Sequence, residues 1–335
     1  MRSVMFQVMP FILVILAHNC YAEEEFSMTD AKVKKYVSQL ADKKYNQEAR
    51  IRLETEGKKA VPYLVALLTD SNTDSATKVL AINILGSIAD SDCVDTLIGM
   101  LNNSDTKLRK ASAAALGEIH DKKAVTALIK HINDKDPTVR FNIVRSIDEI
   151  GDQSSAETLI GILDDKKHYI RAYAVKALGK MKYGPSITKL SEMTDDKNAS
   201  VRLEVARALG AIGGDSCVPA LKKLVGDTHQ NIKISAIKSL GNIKSAESMK
   251  ILIENGDSSD KKVRFHVAEA LGNLRYDEAV PILEKLLMDE YVDVRLAAAK
   301  SLAAVGTERA KEALKTVLHD EVTRVRHIAK QSLKK

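Results

Sequence analysis

Residues 201–213 read VRLEVARALGAIG, and the fold turns on why this string keeps returning. Thirty-one residues earlier the chain has IRAYAVKALGKM (170–181), and sixty-two residues later VRFHVAEALGNL (263–274). A basic residue follows the apolar position that opens each copy: Lys78, Arg109, Arg140, Arg171, Arg202, Lys233, Arg264, Arg295 and Arg326, every step 31 residues. Seven positions further on stand Leu85, Leu116, Ile147, Leu178, Leu209, Leu240, Leu271, Leu302 and Leu333. Gly86, Gly117, Gly179, Gly210, Gly241 and Gly272 come next, with Asp148 and Ala303 in the two remaining internal copies. Self-similarity at a fixed period signifies stacked repeats and is read before any motif.

Each period holds a second segment. VDTLIGML (94–101), VTALIKHI (125–132), AETLIGIL (156–163), VPALKKLV (218–225) and VPILEKLL (280–287) share one register. Apolar residues at i, i+3, i+4 and i+7 mark an amphipathic helix, and Pro219 and Pro281 fall where a first turn tolerates proline. One period is thus two short helices and two tight turns. Neither helix is long enough to stand alone, so neighbours must stack to bury their faces. The recurring glycine costs about 1 kcal/mol against alanine inside a helix. Close approach of the next helix is the expected compensation.

The basic residue sits in a first turn, where the helix dipole disfavours positive charge. Six positions before it are Asp134, Asp165, Asp196, Asp227, Asp289 and Asp320, with Asn72, Asn103 and Ser258 in other copies. A structural ladder is expected. Arg109, Arg140, Arg171, Arg202, Arg264, Arg295 and Arg326 would each reach a turn aspartate of their own or an adjacent repeat, since a guanidinium fork binds carboxylate bidentately.

The pattern D…VRxxAxxALGxIG…AVPxLxxLL, as it stands in 196–225, resembles the HEAT repeat in the short form shared with phycobilisome-lyase-type proteins. The resemblance implies an all-α fold, a right-handed α-solenoid (superhelix) of about ten 31-residue helical hairpins, with the arginine-bearing helices on the concave surface. It covers residues 47–335 and is almost silent on function.

Residues 1–22, MRSVMFQVMPFILVILAHNCYA, carry Arg2, an apolar run and a small residue at Ala22. This is the pattern of a cleaved secretory signal, and it predicts an exported, extracytoplasmic chain with no membrane insertion after cleavage. Residues 23–46 read as an N-terminal capping segment. Cys93 and Cys217 lie four periods apart at matching places, too far to bridge in a stack, and are expected to be small buried residues.

The 335 residues carry a net charge of +6, 4% aromatics and no Trp, which argues against nucleic-acid binding. No HExxH, GxSxG, P-loop or CxxC occurs, and no two histidines stand at i, i+4. DSNTDS (70–75) opens like a calcium loop but has Ala81 at the twelfth place. No catalytic residue, metal site or cofactor is expected.

Five positions after the ladder residue the chain has Arg145, Lys176, Arg207, Lys238, Glu269 and Lys300, on a face turned from the core. Phe141, Tyr173 and Phe265 stand beside them, with Leu203, Ile234 and His266. A basic line along apolar groups suits a protein or peptide partner, with Glu149 and Glu204 diluting the charge. The expected function is a non-catalytic protein-interaction scaffold. A phycobilin-type lyase is the alternative that the resemblance offers, and nucleic-acid binding a weaker one.

Overall fold

The computed structural model describes residues 30–334. The proposed signal segment, 1–22, lies outside the described residues, as does the beginning of the capping segment. Residues 30–39 are helical. Among the described residues the secondary structure is helix and turn, with no strand. No described helix is long and apolar enough to cross a membrane.

The chain groups into two compact units that divide between Asp152 and Gln153. In the first, the long helices Ser75–Ile88, Thr106–Ile119 and Pro137–Ile150 pack in series. The short helices Val94–Met100 and Ala124–Lys130 form a second layer against them. Helices Asn46–Glu56 and Val61–Thr69 precede them, and each packs against Ser75–Ile88. The second unit repeats the plan with long helices His168–Lys180, Ala199–Ile212, Gln230–Asn242, Lys261–Leu274, Val292–Val305 and Thr323–Ser332. Its short helices include Val218–Val225, Ala246–Glu254 and Val280–Leu286.

The recurring leucine is the core of each layer: Leu85, Leu116, Leu178, Leu209, Leu240, Leu271 and Leu302 are all fully buried, as is Ile147 in the same register. Five of the long helices begin on side-chain caps. Asp74, Asp105, Asp136, Asn198 and Asp260 accept backbone N–H groups of the first turn, which satisfies donors the helix leaves open.

The recurring glycine is where consecutive long helices touch. A Cβ on Gly241 would come within 2.6 Å of the Ala270 Cβ, and one on Gly179 within 2.6 Å of the Ala208 Cα. Where the facing residue is serine, its hydroxyl donates back across the contact to a buried carbonyl. Ser146 reaches the Ala113 oxygen at 2.7 Å, Ser239 that of Ala206 at 2.8 Å, and Ser301 that of Ala268 at 2.8 Å. Loss of helix propensity at glycine is offset by backbone proximity and, at these three crossings, by a hydrogen bond made away from water.

Candidate functional site

The ladder residues have a defined geometry in both units. In the first, Arg109 binds the Asp134 carboxylate through Nε at 2.7 Å and Nη2 at 3.0 Å, while Nη1 donates to the Asn103 carbonyl at 2.9 Å. The second unit repeats it: Arg171 binds Asp196 at 2.8 Å through both nitrogens, and Arg202 binds Asp227 at 2.6 and 3.2 Å. Arg264 binds Asp289 at 2.6 and 3.1 Å, and Arg295 reaches Asp320 at 3.0 Å and Glu321 at 2.8 Å. In these five rungs the aspartate belongs to the following turn, 25 residues on. Arg326, expected to reach a turn aspartate, meets no carboxylate among the described residues and holds only the Asp320 and Glu321 carbonyls and the Thr323 hydroxyl. The arginine's own turn supplies a carbonyl instead. Arg171, Arg202 and Arg295 donate to the Asp165, Asp196 and Asp289 oxygens, and Arg140 and Arg326 to those of Asp134 and Asp320. One guanidinium therefore clamps two successive turns.

Two of the three breaks in the aspartate series, Asn103 and Ser258, coincide with the two lysines in the arginine series. Twenty-five residues after Lys78 is Asn103, and after Lys233 is Ser258. An ammonium cannot match the planar fork that grips carboxylate and carbonyl together. At both places another contact replaces the rung. The Ser75 hydroxyl donates to Asp105, and the Gln230 amide donates to Asp260 at 2.5 Å.

These pairs shape the carboxyl titrations. Hydrogen bonds from Arg202 lower Asp227 to about 2, against the opposing pull of burial. At Asp196 burial works upward, yet Arg171 and the Asn198 N–H together hold the group below the ordinary carboxylate range. The Cys93 thiol is pushed up to about 11 by burial and that of Cys217 is raised for the same reason, and both cysteines are free and buried. Among the described residues no three His, Cys, Asp or Glu side chains converge as a metal site would require.

The basic line divides by environment. In the first unit Arg145 is only 30% exposed and faces Glu149 at 3.4 Å. The Glu118 carboxylate lies over Gly86 and that of Glu149 over Gly117, so this face carries acids as well as bases. Phe141 is half-buried one turn before Arg145. In the second unit Lys176, Arg207, Lys238 and Lys300 are exposed. The Lys176 ammonium stands 4.6 Å from the centre of the half-buried Tyr173 ring. Arg207 pairs with Glu204 at 2.6 Å.

Lys238 and Lys300 open onto a groove of about 780 Å³, together with Phe265, Leu296, Arg275 and Arg324. An adjoining groove of about 560 Å³ shares Lys238 and Asn242 and carries Leu203, Ile234 and Arg207. The apolar floor is the position next to the ladder residue: Leu203, Ile234, Phe265 and Leu296. Among the described residues no ion pair engages Lys238, Arg275, Lys300 or Arg324. The groove also holds Asp293 and Glu269, and Glu269 is held by His266 at 2.9 Å.

Sequence reasoning did not single out Leu296, Arg275 or Arg324. Arg275 takes the left-handed conformation, φ 59°, at the helix end where Gly151 and Gly306 stand in other copies, but Ala89, His120 and Lys182 do the same at that place, so no sequence signal set it apart.

The family model for HEAT repeats matches residues 61–140, 125–200, 187–260 and 255–334. The chain belongs to the HEAT repeat family. No curated protein matches it. Among solved structures, the crystal structure of an engineered protein is similar over 90% of this chain and 98% of its own, at 22% identity and a TM-score of 0.54. Human deoxyhypusine hydroxylase, solved with glycerol, aligns over 85% of this chain and 96% of its own, at 20% identity and a TM-score of 0.35. The first likeness supports the stacked-hairpin fold. HEAT repeats commonly serve as protein-binding scaffolds, and this fold is consistent with that role.

Proposed function

We propose that the chain is a non-catalytic interaction scaffold outside the cytoplasm, and that the groove of its second unit, taken as the concave face, binds an acidic segment of a protein partner. The carrying observation is the set Lys238, Arg275, Lys300 and Arg324, four cations on an apolar floor with no ion pair among the described residues. Charges left open beside Phe265 and Leu296 favour a ligand with carboxylates and apolar groups together. The location rests on the secretory pattern of residues 1–22.

A photo-crosslinking residue at Leu296, in the chain expressed in its native cell, tests the reading. A discrete extracytoplasmic adduct is expected, lost in a folded variant with all four cations changed to glutamate. It should survive Lys222→Glu with Lys250→Glu, which alters the short-helix layer instead. An adduct unchanged by the four groove substitutions refutes the groove, and a cytoplasmic adduct refutes the location.

A further inference from the structure

Next to the cationic groove lies a smaller cavity of about 360 Å³, bounded by Lys261, Lys262, Phe265, Tyr291, Val292 and Val294, with Asp293 at its edge. Phe265 and Asp293 line both cavities, so the two make one trough between helices Lys261–Leu274 and Val292–Val305. Tyr291 is among the few large apolar side chains left exposed, at 39%. The Lys261 ammonium stands 4.2 Å from its ring centre and the Arg264 guanidinium 5.7 Å. The cavity is therefore an apolar seat with cations at its rim, placed at the first turns of both helices.

Resting on the groove reading above, we infer that the second unit recognises a peptide with an apolar anchor residue, seated between Phe265 and Tyr291, followed by carboxylates that pair with Lys300 and Arg275. The spacing comes from helix geometry. Lys300 is four residues beyond Leu296, the counterpart of Phe265, and so about 6 Å along the axis. Arg275 is ten residues beyond Phe265, about 15 Å along. An extended peptide advances about 3.3 Å per residue. The carboxylates thus fall about two and about four to five residues from the anchor. Charge complementarity selects the acidic ligand, and the apolar seat at one end fixes its register.

The test uses the full chain after signal removal and a short fluorescein-labelled peptide with one phenylalanine ahead of glutamates spaced by serine. The comparison peptide has glycine in place of the phenylalanine. Burying a phenylalanine side chain should tighten binding by about tenfold or more. Tyr291→Ser should remove that advantage and leave the glycine peptide's affinity unchanged. Lys238→Glu with Lys300→Glu should weaken both peptides. Equal binding of the two peptides, still sensitive to Lys238→Glu with Lys300→Glu, overturns the anchor and leaves the groove standing. Binding of neither peptide, or binding indifferent to the lysine changes, overturns the groove reading and the anchor with it. Circular dichroism of each variant confirms that the helices are intact.

Discussion

Asp227→Asn in the second unit removes one negative charge from a buried rung and keeps the side chain's shape. Asp227 is 6% exposed and Arg202 13%. The amide oxygen can still accept the His229 N–H, which the native carboxylate takes at 2.8 Å. The native carboxyl lies at about 2 against an ordinary 3.8, chiefly through the Arg202 hydrogen bonds. At about 1.4 kcal/mol per pH unit, that depression stabilises the folded chain by about 2 kcal/mol. A folded-state value below the unfolded one means the contribution is complete above 3.8 and fades as pH falls toward 2. Breaking a buried pair outright costs about 3–5 kcal/mol, and retention of an acceptor should keep the loss near the lower figure. Urea titrations at pH 5 and pH 3, both below the region where histidines titrate, should show a deficit of about 2–3 kcal/mol at the first. The deficit should shrink by about 1 kcal/mol at the second. Hydrogen exchange at the 227–232 turn supplies a local readout, because stacked repeats need not unfold in one step. A deficit equal at both pH values, or below about 0.5 kcal/mol at pH 5, would show the rung to be no more than a surface pair.

Gly241→Ala should destabilise by about 1–3 kcal/mol despite better helix propensity, because its Cβ meets Ala270. Gly161→Ala, in the helix Ala156–Ile162 with nothing within 4 Å, should instead stabilise by up to about 1 kcal/mol; thermal melts of the two separate packing from propensity. Lys233→Arg with Ser258→Asp should build the missing rung and stabilise by about 1–2 kcal/mol beyond the sum of the single changes. The Ser258 hydroxyl already accepts the Asp260 N–H as the Asp134 carboxylate accepts that of Asp136, so an aspartate suits the turn. A double-mutant cycle with no coupling refutes this. Cys93, with its thiol near 11, should resist alkylation at pH 8 in the folded chain and react on unfolding. Labelling of the native protein at the unfolded rate contradicts its burial.

The helical hairpins were legible because each period writes the same apolar register. The glycine contacts were legible because a residue that weakens a helix recurs at one place. The ladder was legible as a pairing of types, but not in direction. Asp134 is as close in sequence to Arg140 as a same-repeat partner could be, and only the stacked geometry sends its carboxylate to Arg109 and its carbonyl to Arg140. Counting along a helix placed Lys238 and Lys300 on one face. It also flagged Glu149, four residues after Arg145 on the same helix, but it could not report that Glu118 of the preceding long helix joins them while Lys238 stands open, because that depends on neighbours from other helices. Arg324 escaped notice because it precedes its ladder residue, and its approach to the groove is made by the stacking of helix Thr323–Ser332.

The direction of the clamp gives the repeats a grammar of succession. An arginine copy must be followed by a turn that begins with aspartate, whereas a lysine copy is followed by one that does not. Excising residues 172–202 would bring Arg171 to face Asp227, and the junction would read correctly. Excising 203–233, a segment of the same length, would bring Arg202 to face Ser258 and strand a guanidinium. Units that look alike are therefore not freely interchangeable, and the record of past duplications in such a chain is filtered by which neighbours each copy can accept.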